Sequence, residues 1–372
     1  MDDTVIIGAS AAGLATAACL RRRGRSFRLV ERAPHVGASW RAHYDRLHLH
    51  TSKGLSGLPG LPLPRDYPKY PSRDQVVAYL EQYAKHFDLA PQLSTEVSRV
   101  YREGDAWAVE SSAGRFTARE VVIATGNARV PNRPAWPGQE AFGGTVLHSS
   151  AYGNGAAFRG KRVLVIGFGN SGGEIAIDLC ENGALPDLAV RGPVNVIPRD
   201  LLGVPILAVG IAMSVFPPKV ADALSAPLLH LAVGDITRLG FRKLPYGPAV
   251  QIDRHGKIPL LDIGTLALVR SGKLKVRPGV ERFTPAGVVF EGGAEEAYHA
   301  VVVATGYRPR VGAFLEGAGE ALDAEGSPRS SGREALPGLW FCGFYVAPTG
   351  MLREIAREAE AIAGGIAGRL AA

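Results

Sequence analysis

A strand, a glycine turn, a helix and a second strand follow one another twice in this chain, and few folds are open to a polypeptide that repeats this unit. The first copy starts with the β-branched run Thr4-Val5-Ile6-Ile7 and turns through Gly8-Ala9-Ser10-Ala11-Ala12-Gly13. It continues through alanines to Arg21-Arg22-Arg23-Gly24 and ends with Phe27-Arg28-Leu29-Val30 and Glu31. Cations in the last helical turn complement its carbonyl end, and Gly24 offers a left-handed cap. The second copy has Arg162-Val163-Leu164-Val165-Ile166, then Gly167-Phe168-Gly169-Asn170-Ser171-Gly172-Gly173. A helix through Glu174 to Cys180 and the run Leu188-Ala189-Val190 complete it. Such βαβ units aim helix N-terminal N–H groups at a pyrophosphate, so two of them imply two dinucleotides.

The acids and bases after each unit separate the two ligands. Glu31 stands close to the ~20 residues beyond the first glycine at which a carboxylate reads a ribose. It accepts from both ribose hydroxyls and repels a 2′-phosphate, which selects FAD or NAD. Ser10 departs from the pattern, because glycine normally lets the backbone approach the phosphates there. The second turn keeps Gly167, Gly169 and Gly172, and Asn170 and Ser171 add donors. Arg191, read at the place of Glu31, offers a planar fork to a 2′-phosphate, which implies NADPH. The plain alternative for Arg191 is a solvated surface arginine.

Length and composition agree with a multidomain enzyme-sized chain. At 372 residues it is too long for one ordinary core, and 46 glycines, about 12% against a usual ~7%, require many tight turns or close approaches. A formal charge of +7 permits a polyanionic partner. Residues 156–283 hold 16 Lys+Arg and 10 Asp+Glu, so the excess falls where NADPH is expected and no nucleic-acid partner is needed to explain it. Cys19, Cys180 and Cys342 are far apart with no CxxC, which argues against a disulfide framework or a metal site. The start, Met1-Asp2-Asp3, lacks a basic signal-peptide region, and a cytoplasmic home is expected.

Between the two units, Val97 to Val100, Ala106 to Glu110 and Arg115 to Ala118 read as a small antiparallel β meander. The buried strand Val121-Val122-Ile123-Ala124-Thr125-Gly126 has a near copy in Val301-Val302-Val303-Ala304-Thr305-Gly306. Leu201 to Phe216 is apolar but too short for a bilayer, and it reads as interior or channel lining with membrane-surface docking left open. Leu352 to Leu370 has apolar positions at helical spacing and should be the final helix. The expected class is α/β with two Rossmann-like dinucleotide-binding domains. The FAD domain is discontinuous, 1–155 and 284–372 with the meander; the NADPH domain is 156–283, with an apolar insertion around 200–245.

Between the glycine turns lies Phe142-x-Gly144-x-x-x-His148-x-x-x-Tyr152. This motif resembles the identifying motif of class B flavin-dependent monooxygenases, and Tyr152 is similar to the flavin-containing monooxygenase branch. Gly37-Ala38-Ser39-Trp40, Tyr44-Asp45-Arg46-Leu47-His48-Leu49-His50, Tyr67-Pro68-Lys69-Tyr70-Pro71, Gly234 to Gly240, Asp262-Ile263-Gly264 and Ala304-Thr305-Gly306-Tyr307 resemble the YUCCA-like members, across essentially the whole chain. The resemblance implies FAD on the first turn, NADPH on the second, hydride transfer to flavin and capture of dioxygen as a C4a-peroxide. Expected cofactor contacts, beyond the residues of the two turns, are Arg32, Trp40, His48, Val97, Ala124, Thr125, Gly126, Ala304, Thr305, Gly306, Tyr307, Gly343, Gly350 and Met351.

In many relatives a Thr-Asn-x-Pro-Lys segment carries an asparagine at the flavin edge. Here the run is Leu49-His50-Thr51-Ser52-Lys53, so the resemblance makes His50 and Lys53 catalytic candidates. Arg199, beside the apolar stretch, is the candidate cation for an anionic aromatic substrate such as indole-3-pyruvate. Oxygenation of soft nitrogen or sulfur, a disulfide reductase, and a flavin-binding redox protein without turnover are the alternatives. A small-molecule substrate and O2 are the expected partners, and a homodimer is left open.

Overall fold

Short β-branched runs bounded by glycine form strands that are buried on both faces, and this chain stacks them into two parallel sheets. The computed structural model describes residues 1–369. The first sheet runs Arg28–Val30, Asp2–Ile7, Gly114–Ile123, Leu339–Phe341 in parallel, with Glu334–Leu336 antiparallel at its edge. Val5, Ile6, Val121, Val122 and Ile123 are all fully buried in it. The meander Val97–Glu103, Ala106–Ser111 grows from the same sheet. Its third strand and the buried run at 121–123, expected as separate pieces, are one strand. The outer part of that strand pairs antiparallel with the meander and its inner part parallel with the first and C-terminal strands. The FAD domain is therefore discontinuous as expected.

The second sheet runs Lys275–Arg277, Leu185–Ala189, Arg162–Ile166, Ala300–Val303, Thr145–His148, all parallel. Boundaries at 155/156 and 283/284 cut through it, because two of its five strands lie outside 156–283. Parallel pairing demands crossover connections, so a sheet readily takes strands distant in sequence. A second antiparallel meander, Val280–Phe283, Gly287–Phe290, Glu295–Ala297, precedes Ala300–Val303 just as the first precedes the inner half of its strand. The duplication thus extends to unit, meander and closing strand.

Helix Ala11–Arg22 ends as its sequence suggests, with Gly24 at φ +65° and the Arg25 N–H returned to the Leu20 carbonyl. Its alanines let helix Met351–Arg369 approach closely, with Ala18, Ala359 and Ala363 in one buried cluster. The last expected helical position, Leu370, lies outside the described residues. No helix among the described residues is long and apolar enough to cross a membrane.

The apolar stretch from Leu201 to Phe216 is not wholly interior. Leu201 and Leu207 are buried, but Leu202, Val204, Val215 and Phe216 are exposed. Its residues form a hairpin, Asp200–Leu201 with Val204–Pro205, and the helix Ile206–Met213, followed by the helix Pro218–Val233. With two strands of two residues each and two helices, it has too little scaffold of its own to enclose all these side chains.

Candidate functional site

The first glycine turn is closed as tightly as a backbone allows. A Cβ on Gly13 would lie 1.7 Å from the Gly8 carbonyl oxygen, and one on Gly8, at φ +106°, would lie 2.8 Å from the Ala124 oxygen. Helix Ala11–Arg22 has no side-chain cap and no acid in its first turn, so its leading N–H groups are left for an anion. Ser10 sits at extended φ −101°, where any residue fits, and its hydroxyl lies 3.0 Å from that of Ser39. The side chain is drawn aside, and the serine adds no backbone strain. The Glu31 carboxylate accepts from Ala9 N–H at 2.7 Å and Ala33 N–H at 2.9 Å, which ties the turn to the second strand.

A cleft of about 430 Å³ opens over this turn. Of the expected contacts, Gly8, Ser10, Glu31, Arg32, Val97, Ala124, Thr125 and Tyr307 line it. Ala11 and Gly13 lie beneath it in the buried helix. Trp40, His48, Gly126, Gly306, Gly343, Gly350 and Met351 are not among its walls. His48 is exposed, with Nδ1 2.7 Å from the Arg46 carbonyl. Gly343 packs instead under the first helix, and Gly350 faces Leu207 and Thr51. The helix that opens at Met351 carries buried Glu354 in its first turn, which offsets part of its positive end. Sequence reasoning missed His35, Ser39 and His43 in the cleft wall. The Thr125 hydroxyl is buried there with no hydrogen-bond partner among the described residues. An open helix end, the Glu31 carboxylate and an orphan hydroxyl in one cleft fit a dinucleotide such as FAD.

The second turn repeats the closure. A Cβ on Gly172 would lie 2.1 Å from the Gly167 oxygen, and one on Gly167 2.5 Å from the Ala304 oxygen, whereas Gly169 has nothing within 4 Å. Asn170 spends its carbonyl on the Leu261 N–H at 2.8 Å, so only its amide is left as a donor. Thr305, unlike Thr125, is satisfied, donating to the Asn132 carbonyl at 2.5 Å.

The expected equivalence of Arg191 with Glu31 is one residue off. Gly8 N–H bonds the Val30 carbonyl and Gly167 N–H the Ala189 carbonyl, so Val190 takes the place of Glu31 and Arg191 that of Arg32. A valine there removes the repulsive acid. Exposed Arg191 stands next to it, and the Arg242 guanidinium donates to the Arg191 carbonyl. Two cations thus stand where a 2′-phosphate is expected.

The signature between the turns works as a joint. Phe142 packs edge-on to Phe283 at 5.5 Å, Gly144 leaves no room for a Cβ beside the His299 carbonyl, and Tyr152 donates to Asp178 at 2.5 Å. His148 donates from Nε2 to the Gly306 carbonyl at 3.1 Å and accepts the Ser150 N–H at Nδ1, and it meets Tyr307 edge-on at 5.2 Å. Burial, opposed by the Gly306 bond and reinforced by Arg133, holds His148 below the usual histidine range.

The segment 43–53 straps the two domains together. Arg46 grips Glu181 in bidentate fashion at 2.9 and 3.0 Å, and His50 Nε2 is hydrogen-bonded to buried Glu174, both on the helix after the second turn. Buried Tyr44 lies beside Ser171 and Glu174. Lys53, a catalytic candidate by resemblance, is occupied elsewhere: its ammonium donates to the carbonyls of Arg65, at 2.5 Å, and Tyr67, and pins that loop. Arg199 stacks over Tyr70 at 4.1 Å and bonds Asp200 at 3.3 Å. Asp200 also accepts from Lys69 at 2.5 Å and Tyr70 at 2.6 Å, so two cations share one carboxylate. Burial raises the Asp200 carboxyl, but these three donors outweigh it and hold it below the usual range.

A family model described as pyridine nucleotide-disulphide oxidoreductase matches residues 5–198. The chain is 40% identical over 350 residues, 91% of its length and 86% of the relative's, to indole-3-pyruvate monooxygenase YUCCA1 of Oryza sativa subsp. japonica. It is 37% identical over 349 residues, 91% and 84% of the two lengths, to probable indole-3-pyruvate monooxygenase YUCCA1 of Arabidopsis thaliana. A flavin-containing monooxygenase from Stenotrophomonas maltophilia superposes with a TM-score of 0.77 over 100% of both chains at 26% identity. A disulfide reductase needs accessible thiols. Cys19 and Cys342 are fully buried, burial pushes the Cys19 thiol up to about 12 and Cys342 further, and no cysteine lines the cleft.

Proposed function

This chain belongs to the YUCCA-type flavin-dependent monooxygenases, and we propose that it oxygenates an aromatic 2-oxo acid of the indole-3-pyruvate kind with loss of carbon dioxide. The observation that carries the reading is the 40% identity to a named indole-3-pyruvate monooxygenase, which spans both domains. The enzyme uses FAD and NADPH. Bound flavin, reduced by NADPH, supplies the two-electron chemistry that activates dioxygen. For a 2-oxo acid the balance is one oxo acid, O2, NADPH and a proton giving one shortened acid, CO2, water and NADP+. The carbon–carbon bond to the carboxylate breaks, and one oxygen atom enters the product acid.

In this reading the protein binds, orients and excludes water. Gly8, Ser10, Glu31 and Thr125 hold FAD, and the Gly167 turn with Arg191 holds NADPH. Arg199 meets the substrate carboxylate. The surplus positive charge of Lys69 and Arg199 over Asp200 supports that role, as does the neighbouring apolar helix Ile206–Met213. His50 orients the strap between the two cofactor turns.

The test is product analysis after aerobic NADPH turnover with indole-3-pyruvate, a tertiary amine and a thioether. One CO2 per NADPH is expected with the oxo acid. In Arg199→Ala, KM for the oxo acid should rise about tenfold with kcat nearly kept, the effect of losing one charge-assisted hydrogen bond. Oxygenation of the amine or thioether with the oxo acid untouched overturns the reading.

A further inference from the structure

Two segments far apart in sequence meet around one carboxylate. Loop 64–71 of the FAD domain, stiffened by Pro64, Pro68 and Pro71, presents Lys69 and Tyr70. The hairpin at the base of the apolar insertion starts from Arg199 and Asp200. Oδ1 of Asp200 accepts from the Lys69 ammonium at 2.5 Å and from the Tyr70 hydroxyl at 2.6 Å, while Oδ2 accepts from Arg199 Nε at 3.3 Å. Lys69 also donates to the Gly203 carbonyl at 3.1 Å, in the turn of the hairpin. Both cations lie against the Tyr70 ring, Arg199 at 4.1 Å and Lys69 at 5.3 Å from its centre. A ring of donors is thus closed on an acid that the protein itself supplies.

The donors exceed what one acid needs. Two cations face a single carboxylate, and Arg199 bonds it only through Nε; among the described residues the terminal fork of its guanidinium makes no hydrogen bond. That fork is the part of an arginine that grips a carboxylate in bidentate fashion. The Arg199 backbone is fixed, its N–H on the Asp262 carbonyl at 3.3 Å and its own carbonyl accepting the Ile206 N–H at 2.9 Å. The side chains of Lys69, Arg199 and Asp200 are 45, 32 and 27% exposed, so an anion can reach them. The helix that follows, Ile206–Met213, carries no charge and sets Leu207 beside Thr51 and Gly350, which offers an aromatic group an apolar wall.

The chemistry of a 2-oxo acid gives the internal acid a use. Substrate and product are both carboxylates, so two uncompensated cations would hold the shortened acid as firmly as the oxo acid, and tight uniform binding does not speed turnover. We propose that Lys69, Tyr70 and Arg199 together form the carboxylate site of the enzyme and that Asp200 is its built-in competitor, which lets the product acid leave. This rests on the reading of Arg199 as the group that meets the substrate carboxylate.

Titration calorimetry of the FAD-loaded protein with indole-3-acetate, the shortened acid, and with its uncharged amide tests this without turnover. Asp200→Asn keeps an acceptor for Lys69 and Tyr70 but removes the charge; it should bind the acid about tenfold tighter and the amide within about twofold of the parent. Lys69→Gln should weaken the acid about tenfold and spare the amide. Asp200→Ser, should the asparagine variant fail to fold, must also favour the acid over the amide. Acid and amide changing together would make the cluster a structural clasp and overturn the proposal, as would weaker acid binding in Asp200→Asn or no acid binding in any of the proteins. Oxygenation of the amine or thioether alone, with the acid titrations as expected, overturns the oxo-acid reading and leaves the carboxylate site standing.

Discussion

Glu174, on the helix that begins at the second glycine turn, receives His50 from the strap of the other domain, and its second carboxylate oxygen has no hydrogen-bond partner. Among the described residues Arg46, at 3.8 Å, is the cation that faces it. His50 and Glu174 thus hold one another at the joint between the two cofactor turns, with Tyr44 beside the same carboxylate.

Glu174→Ala should therefore cost about 1–3 kcal/mol, the penalty of an orphaned buried donor, and Glu174→Gln, which keeps an acceptor, less than half of that. Urea unfolding of the FAD-loaded protein measures both. His50→Ala combined with Glu174→Ala should cost less than the sum of the two single losses, and strict additivity would refute the coupling.

Nucleotide choice should rest on positions 190 and 191 together. Arg191→Ala should raise KM for NADPH about 10–100-fold and leave NADH nearly unchanged, the loss of a charge-assisted contact to the 2′-phosphate. Adding Val190→Glu recreates the first unit's acid and should turn the preference to NADH. Equal losses with both nucleotides would contradict the assignment.

The glycines of the second turn should not be equal. Gly172→Ala forces a methyl to 2.1 Å from a carbonyl and should yield protein that has lost NADPH binding and much of its thermal stability. Gly169→Ala, with open space around its Cβ, should leave Tm within a few degrees of the parent and act only on nucleotide affinity. Calorimetry with nucleotide titration separates the two.

Stability should fall on the acid side of neutrality. Burial first, opposed by Glu174 and reinforced by Arg73, also holds His43 below the ordinary 6.5, as it does His148. With folded values depressed, the unfolded chain takes up protons first as pH drops through 6.5. This stability is complete above that value and is lost below it until the folded rings titrate. His148→Gln, which keeps a donor toward Gly306, should flatten the fall in Tm between about pH 6.5 and 5; an unchanged slope would place the effect elsewhere.

Both glycine turns, the first meander and the final helix were legible because glycine, β-branched runs and helical spacing are local signals. Arg191 lies one residue beyond the counterpart of Glu31; the interval from Gly8 to Val30 equals that from Gly167 to Ala189, so equal counting from each glycine finds Val190. The second meander also had a signal, the Gly292-Gly293 turn after Gly287–Phe290, both glycines at positive φ. The role of Lys53 had none, since its carbonyl partners lie twelve and fourteen residues on and are set by the loop's path. Neither did the burial of the apolar insertion, because hydropathy reports what a segment prefers and its neighbours decide what covers it.

The strand Leu339–Phe341 lies beside Gly114–Ile123 and opposite the strand that carries the first glycine turn. During synthesis the first sheet is thus incomplete until residue 341 has left the ribosome. The intervening NADPH sheet can close once Ala300–Val303 has emerged. The order of maturation is then inverted relative to the order of translation: the half that starts first finishes last, and the second domain is ready to serve as a platform on which the N-terminal and C-terminal pieces meet.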